Sequence, residues 1–240
     1  MSFIEENVRR VQAQIRAACE RYGRDPKDIR LLAVSKTKPV SDILEAHRAG
    51  LHEFGENYLQ EAEAKIAEIA PLPLDPAPLW HFIGPIQSNK TRLISRDFDW
   101  VHSVDRLKIA RRLGEQRPEG REPLNILLQV NIDREPQKAG IDIDEIPGLA
   151  DEIETLPGVR LRGLMTIPAP RQGLEVQRIP LRTLRQAFDA LRADHPACDS
   201  LSMGMSGDLE AAIAEGSTLL RIGTALFGAR APKTTGKPST

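Results

Sequence analysis

RLLAVSKTKP, residues 30–39, runs four apolar residues directly into Ser35 and Lys36 and closes on a proline. The apolar run does not alternate with polar residues. A strand of this kind is buried on both faces, as in a parallel sheet covered by helices. Runs of the same kind recur at 52–55 (HEFG), 79–83 (LWHFI), 98–102 (FDWVH), 124–131 (LNILLQVN), 159–165 (VRLRGLM), 199–203 (DSLSM) and 218–222 (TLLRI). Helical patterns separate them at 41–49, 57–69, 87–95, 105–114, 144–154, 178–193 and 208–215. A further helix precedes them all over residues 3–22, with Ile4, Val8, Val11, Ile15 and Ala18 on one face and Gly23 as its stop. Eight short strands alternating with helices in 240 residues make an α/β fold of (β/α)8 TIM-barrel type the simplest architecture, with the first helix outside the barrel. A doubly wound open sheet is the alternative, but no candidate strand is followed by a G-x-G-x-x-G turn.

No linker divides the chain, so residues 1–228 are expected to form a single domain. Residues 71–78 (PLPLDPAP) are a proline-rich connector, and 229–240 (ARAPKTTGKPST) carry no apolar pattern and are expected to be a disordered tail. A 40% hydrophobic and 28% charged composition is that of a soluble protein with a large core. Only 4% of the residues are aromatic and the net charge is −1, which argues against a nucleic-acid surface. No apolar stretch reaches membrane-spanning length, and the charged N-terminus is not a signal peptide. The two cysteines, Cys19 and Cys198, have no metal spacing and suit a reducing compartment. The expected location is the cytoplasm.

Barrels of this type place their working residues at the C-terminal ends of the strands. Here those ends carry Lys36, the segment Gly55–Tyr58 with Asn57, the GMSGD stretch at 204–208 with Met205 and Ser206, and Arg221-Ile222-Gly223-Thr224. Loops after the seventh and eighth strands commonly bind phosphate through backbone N–H groups. Ser206 alone reads as a helix cap and Gly223 alone as a turn. Small residues with hydroxyls in both loops at once point to a phosphate. A lysine at the mouth of a barrel is partly desolvated, which favours its neutral and nucleophilic amine. Lys36 alone reads as a surface lysine with its stem packed down. Facing a phosphate site, it can instead condense with a phosphorylated aldehyde, either pyridoxal 5′-phosphate (PLP) or a sugar phosphate. Arg221, pointing into the barrel, needs a partner. That partner is a core carboxylate or a pyridine nitrogen, which an obligate donor would keep unprotonated.

The motifs VSKTKP (34–39), FGENYLQE (54–61), WHFIGPIQSNK (80–90), HSVD (102–105), KAGI (138–141), LRGLMTIP (161–168) and LSMGMSGDLEAAIAEGSTLLRIGTALFG (201–228) together resemble the YggS/PROSC family of PLP-binding homeostasis proteins. The resemblance spans about residues 3–228. It implies the barrel of the N-terminal domain of alanine racemase, a fold-type III PLP protein. It also implies an internal aldimine on Lys36, phosphate contacts from Ser206, Gly223 and Thr224, a backbone contact from Met205, Arg221 at the pyridine nitrogen and Asn57 close to the cofactor. Lys90 becomes a possible second contact. Apo-PLP enzymes are the implied recipients and a monomer the expected form.

Two function classes follow. A PLP-dependent racemase needs acid–base groups on both faces of its substrate. Lys36 serves one face, but Tyr22 and Tyr58 are the only tyrosines, neither is an evident second base, and the second domain of the racemase is not expected in this chain. A non-catalytic carrier that buffers, delivers or protects PLP needs neither, and is the expected function. A lysine aldolase acting on a sugar phosphate ranks last for want of a carboxylate partner. GMSG fails the G-x-S-x-G spacing of a hydrolase, and HFIGPIQSNK fails that of a P-loop. His81 and His102 read as core or hydrogen-bonding histidines.

Overall fold

The computed structural model describes residues 2–229; beyond Ala229, the expected disordered tail lies outside the described residues. The first helix, α1 (Phe3–Tyr22), starts where the Ser2 side chain accepts the Glu5 N–H at 3.2 Å and ends where Gly23 turns left-handed at φ 63°. Its stripe of Ile4, Val8, Val11, Ile15, Ala18 and Cys19 is buried.

The strands are β1 (Arg30–Val34), β2 (Glu53–Glu56), β3 (Leu79–Phe82), β4 (Trp100–Val104), β5 (Leu124–Gln129), β6 (Val159–Met165), β7 (Ser200–Ser202) and β8 (Leu219–Ile222). They form a closed barrel in chain order, and every pairing is parallel. Closure comes from β1, which pairs Ala33 with Phe54 on one side and Leu32 with Arg221 on the other. The crossovers carry α2 (Val40–Arg48), α3 (Leu59–Ile69), α4 (Thr91–Asp97), α5 (Leu107–Glu115), α6 (Ile146–Glu154), α7 (Leu174–Asp194) and α8 (Leu209–Ala214), and α9 (Thr224–Phe227) follows the last strand. Between strands and helices lies the main core, with Phe54, Phe98, Phe188, Ile43 and Leu113 fully buried. The first helix lies outside the barrel, against α2, α8 and α9.

Two helices differ from their sequence reading. Helix α7 begins at Leu174 rather than 178. Pro180 inside it lacks the N–H that would bond the Val176 carbonyl, which interrupts the helical signal, while burial of Pro180, Leu181 and Leu184 holds the helix together. The stretch expected as helix over 87–95 opens with a 3-10 turn at Ser88–Lys90 before α4.

The inside of the barrel holds buried polar side chains, among them His81, His102, Ser202 and Arg221. His102 on β4 bonds Ser202 on β7, and the Arg30 guanidinium from β1 lies 4.4 Å from the centre of the Trp100 ring on β4. These strands are not neighbours, so both contacts cross the lumen. Trp100, Leu127 and Met165 form a small apolar cluster apart from the main core.

Candidate functional site

At the C-terminal ends of the strands lies a cavity of about 270 Å³ lined by Val34, Lys36, Asn57, Ile83, Met165, Ile167, Met205, Ser206, Gly207, Arg221, Gly223 and Thr224. All seven residues singled out in the sequence, Lys36, Asn57, Met205, Ser206, Arg221, Gly223 and Thr224, share this one cavity. Gly207 belongs to the loop already read as a phosphate site and Met165 to a strand end already read; Val34, Ile83 and Ile167 were not singled out. These three follow from strand ends already read and supply apolar walls with Met165, while Gly207 adds one more open backbone segment.

The position of Lys36 is set by its neighbours on either side. The Ser35 N–H continues the β1–β2 ladder onto the Gly55 carbonyl at 3.0 Å. Thr37 takes a left-handed φ of 64°, which is strained for a β-branched residue. Its N–H donates to Glu61 Oε1 at 2.5 Å. Beneath them, the buried Lys65 ammonium donates to the Ser35 carbonyl (2.8 Å), Glu56 Oε1 (2.8 Å) and Glu61 Oε1 (2.6 Å). The Ser35 hydroxyl donates to the same Glu56 oxygen at 2.7 Å. One ammonium thus ties down both residues flanking Lys36. Burial raises the Glu56 carboxyl above its ordinary range, opposed by the Lys65 charge and its hydrogen bond. Lys38, two residues on, is engaged elsewhere: its Nζ donates to the carbonyls of Phe227 (2.8 Å) and Ala229 (3.2 Å).

Across the mouth, the loops after β7 and β8 face the same space. The Asp208 side chain turns back onto its own loop, where Oδ1 accepts the Met205 N–H at 2.6 Å, and no side chain caps α8. The Ser206 hydroxyl is therefore not spent on the helix. Among the described residues, the backbone N–H groups of Ser206, Gly207, Gly223 and Thr224 donate to nothing. A Cβ at Gly207 would meet no atom within 4 Å, so this backbone stands open to a ligand.

Arg221 is 4% exposed. Its terminal nitrogens donate to Ser202 O (2.8 Å), Ser202 Oγ (2.7 Å) and Thr166 O (2.8 Å). The core carboxylate weighed as its partner is not there; carbonyls and a hydroxyl take that place. Burial lowers the guanidinium to about 10, against the weaker pull of Asp208. It still carries its charge at neutral pH.

Asn57 contributes a buried side-chain oxygen that accepts no hydrogen bond among the described residues. Gly84 lets the β3 loop close over this segment. A Cβ there would lie 2.1 Å from the Asn57 carbonyl oxygen. Gly84→Ala is therefore expected to push the two loops apart and to cost about 1–3 kcal/mol, the usual penalty for overpacking. A urea midpoint equal to that of the parent protein would contradict this contact. Lys90 lies elsewhere, lining a neighbouring cavity of about 370 Å³ with Tyr58 and Gln87; Asn57 borders both cavities.

The donor set fits a phosphorylated aromatic aldehyde. Four open N–H groups and two hydroxyls suit a phosphate, apolar side chains suit a flat ring, and a primary amine suits the aldehyde. The orphan Asn57 oxygen suits a hydroxyl or N–H on the ligand.

Comparison with known proteins points the same way. The family described as the alanine racemase N-terminal domain matches residues 4–231. The pyridoxal phosphate homeostasis protein of Pseudomonas aeruginosa is 57% identical over 230 residues, covering 96% of this chain and 97% of that protein. The protein of the same name from Escherichia coli K12 is 52% identical, covering 96% and 98%. The structure of PipY from Synechococcus elongatus with PLP bound is 36% identical with a TM-score of 0.81, covering 94% of this chain and all of that one. Alanine racemase from Corynebacterium glutamicum shares the fold at a TM-score of 0.65 and 16% identity, with 93% of this chain matching 59% of that one.

Proposed function

This chain belongs to the family of pyridoxal phosphate homeostasis proteins, built on the alanine racemase N-terminal domain, and from that membership we propose that it binds PLP in the cavity around Lys36 and serves as an intracellular carrier of the cofactor. One observation carries the reading: Lys36 and the residues of both phosphate-type loops whose N–H groups stand open line one cavity of about 270 Å³. When bound, PLP supplies an aldehyde carbon at which a primary amine condenses with loss of water.

The chain's own residues divide the remaining work. Ser206, Gly207, Gly223 and Thr224 hold the phosphate with N–H and hydroxyl donors. Val34, Ile83 and Met165 keep water off the ring. Arg221, which can only donate, would sit at the ring nitrogen and leave it unprotonated. A ring so held is a poor electron sink, which suits holding the cofactor more than using it. Lys36 and Arg221 are the only ionisable side chains lining the cavity among the described residues. Tyr58 lines the neighbouring cavity, and the Tyr22 hydroxyl donates to Glu210 at 3.1 Å. Among the described residues no second acid–base group lines the cavity with Lys36, which favours the carrier over the racemase.

The same reading takes the protein as a cytoplasmic monomer that delivers PLP to apo-enzymes. Among the described residues no helix is long and apolar enough to cross a membrane.

Phosphate recognition gives the direct test. PLP is expected to bind in a 1:1 ratio, and pyridoxal, lacking the phosphate, to bind more weakly by at least about a hundredfold, the effect of losing two or more charge-assisted hydrogen bonds. Thr224→Val should weaken PLP by about tenfold and leave pyridoxal unchanged. Equal affinities for the two would contradict the phosphate site. Inversion of L-alanine by the loaded protein at rates well above free PLP would overturn the carrier in favour of the racemase.

A further inference from the structure

Behind Arg221 a chain of polar contacts crosses the barrel. Arg221 donates to Ser202 Oγ, which lies 3.1 Å from His102 Nδ1. His102 Nε2 lies 2.9 Å from His81 Nδ1. His81 Nε2 lies 3.4 Å from Glu53 Oε2, an electrostatic contact longer than a good hydrogen bond. Ser202, His102 and His81 are fully buried. Glu53 begins β2 at the opposite end of the barrel and forms a part-exposed pair with Arg30 at 2.8 Å.

The direction of the chain follows from hydrogen counting. Arg221 at one end can only donate. At the other end burial pushes the Glu53 carboxyl up, but His81 and Arg30 outweigh it and hold it at about 2, so Glu53 only accepts. The Ser202 hydrogen has a single remaining acceptor, His102 Nδ1. His102 then carries its proton on Nε2 and donates to His81 Nδ1. His81 in turn carries its proton on Nε2, directed at Glu53. Reversing the first link strands the serine hydrogen, and reversing the second sets two lone pairs or two N–H groups face to face. Both rings are therefore neutral. Burial lowers both, and the positive charges of Arg221 and Arg30 lower His102 further. Arg30, Glu53 and Asp99 act on His81 at the far end, where Arg162 also lies 4.9 Å from the centre of the Trp100 ring and pairs with Asp199, and Asp208 acts on Arg221.

We propose that Ser202, His102 and His81 are positioning residues of the cofactor site: they aim the Arg221 guanidinium at the cavity and couple it to the Glu53 charge on the far face of the barrel. This rests on reading the cavity as a PLP site. The state of the Glu53–Arg30 pair is then felt at the ring nitrogen of the cofactor, through residues that never touch it.

The test has two arms. In the cofactor-free protein, the imidazole nitrogen-15 resonances should show both histidines neutral with their protons on Nε2. A proton on His102 Nδ1, or a doubly protonated ring at neutral pH, overturns the proposal. In the PLP-loaded protein, Ser202→Ala and Glu53→Gln should keep the cofactor but shift its absorption maximum and the nitrogen-15 resonance of its ring nitrogen, with Ser202→Ala giving the larger shift. Ser202→Ala removes the link itself, whereas glutamine still reaches His81 but no longer fixes the direction. Folded variants with parental spectra would overturn the proposal while leaving the PLP site intact. A parent protein that takes up no PLP would overturn both.

Discussion

Lys65→Met is expected to destabilise the protein by about 3–5 kcal/mol, the usual result of stranding a buried charge. The Lys65 ammonium is the only cation bonded to Glu56, a residue with no solvent exposure, among the described residues. Without it, burial acts on the Glu56 carboxyl almost unopposed and raises it further. The sign of the pH effect follows. A carboxyl raised above its unfolded value binds its proton more tightly in the folded state, so acid favours folding at that site. The deficit of Lys65→Met should be full above the raised Glu56 value and shrink as pH falls through it. Unfolding by urea at neutral and mildly acid pH reads both quantities. The same substitution leaves the Ser35 carbonyl with only the Lys38 N–H and removes the ammonium that steadies Glu61 where it holds the strained Thr37. PLP retention should therefore fall even at temperatures where the variant is folded. A stability loss under about 1 kcal/mol would contradict the role given to this ammonium.

Much of the barrel was readable because its strands are short apolar runs covered on both faces, and all eight lie within two residues of their expected positions. The cavity was readable because the barrel sends strand ends to one face, so Lys36, Ser206, Arg221 and Thr224 meet whatever their distance in sequence. Contacts beneath that face were not readable. Lys65 looks in sequence like one more charge on an amphipathic helix, and nothing local shows that it turns inward to Glu56. Arg221 was expected to face either a pyridine nitrogen or a core carboxylate. Its partners come from Thr166, just after β6, and from Ser202 on β7, and the chain behind them joins β7 to β4 across the lumen, a pairing that no sequence periodicity encodes. Ser206 alone reads as a cap, yet α8 carries no side-chain cap bond at all, which only the folded loop shows.

Lys36→Ala carries the second large effect. With no amine at this position, the visible absorption band of the loaded protein should vanish, and PLP should be held only by its phosphate and ring contacts. Retention through gel filtration should fall by at least about tenfold, because a covalent link is replaced by a few hydrogen bonds. Lys38 is not placed to substitute, since its ammonium is committed to the Phe227 and Ala229 carbonyls. Lys90 is not placed to do so either, since it lines the adjacent cavity. The fold should survive, because Lys36 is part-exposed and the clamp on its neighbours uses Lys65 instead. The most direct measurement is borohydride reduction of the PLP-loaded parent protein followed by peptide mapping. The expected result is a single pyridoxyl adduct on Lys36; an adduct on another lysine, or none, would contradict the site.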